Sequence, residues 1–264
     1  MIIDILLAVL VLGGVSLIFG ALIGILGKVM AVERDEKIDQ VLSHLAGANC
    51  GGCGFTGCDA FAQALCKGEA DVSQCPVTAP EQKQKIAKIL GVSVEAEEPT
   101  VACVMCNGGN KCKNKYEYRG AQDCKSVASI IGGIKLCSTA CLGYGTCEVN
   151  CPEGAIKINE DGVAFVDREK CTSCGICIKN CPSNVIERIP KKAKVYIACS
   201  NHQKGKEVLD VCANGCIACG ICEKACPKGA ITMVDNLPKI DYSKCIGCKI
   251  CVTKCPKKVI KEIN

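Results

Sequence analysis

The chain has 264 residues, of which 27 are cysteine, none is tryptophan and only 3% are aromatic. A single large aromatic-rich core is excluded, and the abundance of Ile, Val, Leu and Ala excludes intrinsic disorder. The formal net charge of +5 is uneven: residues 31–100 carry 6 basic and 11 acidic side chains, whereas residues 101–264 carry 25 basic and 15 acidic. No aromatic-interleaved basic surface or base-reading motif accompanies the positive part, so nucleic acid is not an expected partner.

Residues 2–27 hold one charge, Asp4, and are followed by Lys28 and Arg34. The run exceeds the roughly 20 residues that cross a bilayer. No basic residue precedes it, which argues against a cleaved signal peptide. It predicts a single N-terminal transmembrane helix (1–30), with the N-terminus outside and the rest cytoplasmic: a single-pass protein of the cell membrane. Ser16, Gly20 and Gly24 share a helix face, either for close packing on a partner helix or because glycine is common in membrane helices.

Residues 31–92 read as a small helical domain. An amphipathic helix over 33–46 places Ile38, Val41, Leu42 and Leu45 on one face. A Gly/Cys loop at 49–58, a short helix at 59–67, and a helix from Pro80 to Gly91 follow. Residues 93–134 are an acidic linker and a Cys-rich segment. Residues 135–190 and 212–264, joined by a connector at 191–211, are related copies. Cys151, Cys171 and Cys181 recur as Cys226, Cys245 and Cys255, at offsets of 75, 74 and 74. Gly-Ala-Ile at 154–156 and 229–231, with strand-like residues 164–166 and 239–241, makes each copy a small α+β unit. Each is short for a domain, so something other than apolar side chains must fill its core.

The cysteines supply it. Their number is odd and most stand two or three residues from another, unlike disulfide scaffolds, which are short and secreted. Repeated Cys-x2-Cys-x2-Cys-x3-Cys-Pro runs favour iron–sulfur ligation over zinc. Thiolate ligands also imply a reducing compartment, in agreement with a cytoplasmic location. In two-cluster ferredoxin spacing, the fourth cysteine of each run ligates the other cluster. That rule groups Cys216, Cys219, Cys222 and Cys255 around one [4Fe–4S] centre, and Cys245, Cys248, Cys251 and Cys226 around another. The first copy has one regular run and one expanded run, Cys137-x3-Cys141-x5-Cys147-x3-Cys151. The same rule groups Cys137, Cys141, Cys147 and Cys181, then Cys171, Cys174, Cys177 and Cys151, unless the expanded run is a degraded site. Cys50, Cys53, Cys58 and Cys75 form a separate single-cluster set, where glycines at 51, 52, 54 and 57 let backbone N–H groups approach sulfide. Cys103, Cys106, Cys112 and Cys124 either hold a sixth cluster or are spare structural thiols. The cofactors expected are therefore five [4Fe–4S] clusters, with a sixth open.

Cys66, Cys199 and Cys212 are left over. Cys66 reads as packed on a helix, and Cys212 as a spare thiol, with ligation in place of Cys216 the alternative. His44 and His202 read as ordinary polar positions. Each oxidised centre with its thiolates carries about −2, so the lysines of residues 101–264 largely balance cluster charge. Lys191, Lys192 and Lys194, or Lys257 and Lys258, remain candidates to dock an acidic partner.

There is no nucleotide-binding glycine signature and no hydrolytic triad, so the chain has no complete active site of its own. The chemistry on offer is one-electron transfer along a relay. The N-terminal helix, the Cys50/Cys53/Cys58/Cys75 domain and the ferredoxin modules resemble the B subunit of the Rnf complex over nearly the whole chain. The 49–58 loop directly after a membrane helix is the most specific part. Two ferredoxin modules and the 101–134 segment resemble its long form. The resemblance implies a subunit of an ion-translocating ferredoxin:NAD oxidoreductase that takes electrons from soluble ferredoxin and passes them to membrane and flavin-bearing subunits. The residues also leave open a polyferredoxin subunit of a different membrane oxidoreductase, or a non-catalytic metal-binding or sensor protein.

Overall fold

The computed structural model describes residues 2–29, 35–93 and 98–263. α1 (Ile2–Val29) is a helix of 28 residues. Its described side chains, at 3, 10 and 12–26, are exposed. Among the described residues no helix is long and apolar enough to cross a membrane. The expected span also draws on side chains at 2, 4–9, 11 and 27, which lie outside that description, as does Arg34.

α2 (Glu36–His44), α3 (Cys58–Lys67) and α4 (Pro80–Leu90) form a small bundle. Each boundary has a local cause. Asp35 caps α2 by accepting from the Lys37 amide at 2.9 Å. Pro80 opens α4, and left-handed Gly68 and Gly91 end α3 and α4 at φ 75° and 74°. Val41, Phe61, Ile86 and Val72 form the core, with the Phe55 ring 5.4 Å from that of Phe61. This agrees closely with the helices expected from periodicity.

The rest of the chain shows the duplication in its strand pairing. β2 (Ile156–Ile158) and β3 (Ala164–Val166) form a hairpin in the first copy, and β6 (Ile231–Val234) and β7 (Leu237–Ile240) form its counterpart in the second. The last strand of each copy, β4 (Ile186–Pro190) or β8 (Ile260–Glu262), does not join that hairpin. β4 pairs antiparallel with β1 (Thr100–Val104), and β8 with β5 (Val195–Ile197). Both partners come from segments expected to be linker or connector, so each copy begins earlier than 135 or 212. Strands this short have too little periodicity to be seen, and Val104 finds its partner only at Ile186.

Four short helices, α6 (Thr146–Val149), α7 (Ile176–Asn180), α9 (Ile221–Lys224) and α10 (Ile250–Lys254), each carry the third cysteine of a run. α5 (Cys124–Ser129) precedes the first copy's runs, and α8 (Lys206–Val211) precedes those of the second. The cores match: Val104, Ile156, Val185 and Ile186 in one, and Val195, Ile231, Val259 and Ile260 in the other. Buried Cys141, Cys147 and Cys177 belong to the first core, and Cys199, Cys222 and Cys251 to the second.

Candidate iron–sulfur centres

The ligand loops owe their shape to two left-handed residues flanking the second cysteine of each run. Ser173 (φ 61°) and Gly175 (79°) flank Cys174, Ala218 (56°) and Gly220 (69°) flank Cys219, and Gly247 (68°) and Lys249 (62°) flank Cys248. Three of these six are not glycine, a strain that persists only where surroundings over-determine the backbone. Amides then point at sulfur: Ala155 to Cys151, Ala230 to Cys226 and Val259 to Cys255, each at 3.3 Å.

In the second copy, Cys216, Cys219, Cys222 and Cys255 surround one cavity walled by Ile260 and Val259. Cys226, Cys245, Cys248 and Cys251 surround the next, against Ile231 and Ile240. Burial pushes the Cys222 thiol up to about 11. Cys219 and Cys248 alone among the cysteines are exposed. Among the described residues no three ligating side chains converge tightly enough for a single metal ion. Thiolates that bind separate irons of a cubane stand wider than that, around a cavity. All 27 cysteines are free of disulfides, and the donor set of four thiols without histidine suits a four-iron centre.

In the first copy, Cys177 lies in the electrostatic field of Cys171, Cys174 and Cys151. The expanded run is the informative one. Gly143 (φ 80°) and Gly145 (φ 74°) flank Tyr144 just as their counterparts flank the second cysteines. The loop is therefore regular, with Tyr144 standing where a second cysteine would be. A thiol of α5 lies beside this run: Cys124 neighbours Cys147 together with Cys141, Cys181 and Cys177, and its amide donates to Thr146 Oγ1 at 2.7 Å. Burial pushes Cys147 up to about 12, and the neighbouring thiols add to it. Cys137, expected in this set, instead packs against Cys112 and Cys212. Spacing alone could not show this, because it does not reveal which intervening residue takes the ligand's place.

The group Cys103, Cys106, Cys112 and Cys124 is likewise not brought together. Cys103 lies in β1 beside Tyr196 and Tyr242, and burial raises it to about 12. Cys106 and Cys112 line a cavity with Cys137, Cys199 and Cys212. Cys66 packs on the helical bundle, where burial raises its pKa. His44 Nδ1 meets Gln82 Oε1 at 2.9 Å, and His202 faces Asp235 at 3.0 Å.

In the small domain, Asn49 Oδ1 accepts from the Cys58 amide at 2.8 Å and closes the loop. Cys53, Cys58 and Cys75 pack on the bundle core, and Thr78 Oγ1 donates to Cys75 Sγ at 3.1 Å. A Cβ at Gly52 would lie 2.7 Å from the Cys174 carbonyl oxygen and 3.4 Å from Cys50 Sγ. Glycine there lets the small domain's loop sit on the first copy, and Cys174 feels the charge of Cys50.

Residues 45–77 match a family profile described as a putative Fe-S cluster. Residues 136–185 and 215–259 match a 4Fe-4S dicluster domain, and a second profile of that description matches 170–231. The chain is 44% identical to the B subunit of the Na(+)-translocating ferredoxin:NAD(+) oxidoreductase complex of Acetobacterium woodii, covering 91% of this chain and 72% of that one. It is 42% identical to the B subunit of an ion-translocating oxidoreductase complex of Methanosarcina acetivorans, with 90% of each chain covered. The B subunit of a proton-translocating ferredoxin:NAD(+) oxidoreductase complex of Clostridium ljungdahlii is 36% identical, over 87% of this chain and 81% of the relative.

Proposed function

Because the chain belongs to the family of B subunits of ion-translocating ferredoxin:NAD(+) oxidoreductase complexes and carries 4Fe-4S domains, we propose that it is a membrane-anchored relay. Electrons from soluble reduced ferredoxin enter at the second copy and leave through the Cys50/Cys53/Cys58/Cys75 set toward membrane and flavin-bearing partner subunits. Five centres serve it, each supplying reversible one-electron transfer when bound. They are held by Cys50, Cys53, Cys58 and Cys75; by Cys151, Cys171, Cys174 and Cys177; by Cys124, Cys141, Cys147 and Cys181; by Cys216, Cys219, Cys222 and Cys255; and by Cys226, Cys245, Cys248 and Cys251. The anchor is α1, with everything after Lys28 cytoplasmic.

The observation that carries this reading is the contrast between the two ends. At one end the Cys50 loop is seated on Cys174 through Gly52. At the other, Cys219 and Cys248 face solvent, and Ile221, Ile246 and Ile250, each two residues away along the chain, are exposed as well. A soluble donor can approach there, with Lys257 and Lys258 nearby to attract an acidic one. Of the other lysine patch, Lys191 pairs with Glu169 at 3.3 Å and Lys192 with Glu98, so that charge is largely met within the chain.

The test is Cys53→Ala in the intact complex. Reduced ferredoxin should still bleach the visible absorption of the remaining centres, while transfer to the partner subunits stops. Loss of that bleaching as well would show that electrons do not enter at the second copy.

A further inference from the structure

A cavity lined by five further cysteines adjoins Cys141 of the first copy and Cys216 of the second. We propose that a further [4Fe–4S] centre fills it, held by Cys106, Cys199 and Cys212 with one of the touching pair Cys112 and Cys137 as the fourth ligand. The proposal rests on the relay reading for its role, but not for its existence.

The site is assembled from three stretches of chain. Residues 105–114 leave β1 and cross to the second copy as a strap. Cys112 bridges to Cys212 in antiparallel fashion. The Lys113 amide donates to the Val211 carbonyl at 2.9 Å, and the Ala213 amide to the Lys111 carbonyl at 3.1 Å. Ser200 Oγ donates to the Met105 carbonyl and Asn214 Nδ2 to the Asn107 carbonyl, both at 2.9 Å. The strap encloses a cavity lined by Cys106, Cys112, Cys137, Cys199 and Cys212, with no acidic side chain and no histidine.

Amides aim at these sulfurs as they do at the ligand cysteines elsewhere in the chain. Cys106 Sγ accepts from the Gly108 and Cys141 amides at 3.4 Å each. Cys199 Sγ accepts from Asn201 at 3.5 Å and Cys216 at 3.4 Å. Gly108 keeps the wall bare, since a Cβ there would lie 3.2 Å from Cys212 Sγ.

A second observation is independent of the sulfurs. Lys135 is 7% exposed, and its ammonium donates to the Gly109 carbonyl at 3.0 Å and the Cys112 carbonyl at 3.5 Å. No carboxylate meets it among the described residues. A buried cation needs a counter-charge, and an anionic thiolate-bound centre beside Cys112 supplies one.

The location also explains the connection. One of the two amides on Cys106 belongs to Cys141 of the first copy's set, and one of the two on Cys199 belongs to Cys216 of the second copy's set. One electron at a time crosses here, lost by the ferredoxin-reduced second copy and gained by the first. No bond forms or breaks and no proton moves.

The test is iron and sulfide per chain in the full-length protein prepared without oxygen, with electron paramagnetic resonance of the reduced state. Cys106→Ala, Cys199→Ala and Cys212→Ala should each lack about four irons and one paramagnetic signal. Of Cys112→Ala and Cys137→Ala, one should do so and the other not. Cys66→Ala and Cys103→Ala should keep the full count. Unchanged iron in the first three would overturn the proposal, as would a Cys112–Cys137 disulfide in the native protein. Should those variants fail to fold, Lys135→Gln decides: one midpoint potential should move negative at unchanged iron content, and no movement refutes the site. Iron content is independent of the direction of electron flow, so a relay running otherwise would leave this result intact. Conversely, failure here leaves the Cys53→Ala test unaffected.

Discussion

If Tyr144 stands at a vacated ligand position and Cys124 replaces it, the two positions should be exchangeable. Cys124→Ala removes one thiol of four, and the expected loss is about four irons of about 24 per chain, or one-sixth. Adding Tyr144→Cys should restore them. The backbone is already prepared, because Gly143 and Gly145 hold φ 80° and 74°, close to the 56–79° found around Cys174 and Cys219. What the second change removes is the edge-on contact of Tyr144 with Tyr118, at 6.0 Å between centroids. Such a pair is worth ~0.5–1.5 kcal/mol beyond area burial. That is small beside the roughly 10–16 kcal/mol that thiolate–metal binding contributes to folding in structural zinc sites. The double variant should therefore regain iron, sulfide and the missing paramagnetic signal. If it holds no more iron than Cys124→Ala alone, the assignment of Cys124 to the Cys141/Cys147/Cys181 set is wrong.

Other outcomes follow from the packing. Gly52→Ala must open the contact with the Cys174 carbonyl from 2.7 Å toward an ordinary 3.4 Å; iron should stay constant while stopped-flow reduction of the partner subunits slows. Phe61→Ala hollows a site that is 1% exposed. It should cost about 3–5 kcal/mol in anaerobic urea unfolding of the small domain and release the Cys50/Cys53/Cys58/Cys75 centre first. Chelating the iron under reducing conditions should abolish the strand signal in circular dichroism but spare helix. The ferredoxin cores include Cys141, Cys147, Cys177, Cys222 and Cys251, whereas Val41, Phe61 and Ile86 hold the bundle. Equal loss of both signals would refute that division.

Much of the chain was legible in its residues because the relevant physics is local. The helices at Glu36–His44, Cys58–Lys67 and Pro80–Leu90 follow from apolar spacing, Asp35 and the proline and glycine stops. The duplication is written in cysteine offsets, and within a run of twelve residues chain length alone keeps three thiols together. Only the tertiary structure decided what distant segments contribute. β1 and β5 pair with strands that their own few residues do not announce. Cys124 lies near Cys147 because α5 folds back against Thr146, and Cys106 meets Cys199 because a strap crosses between the copies. Bringing such thiols together requires closing long loops, and burial of the shared Val, Ile and Leu cores offsets that entropy; spacing along the chain records neither.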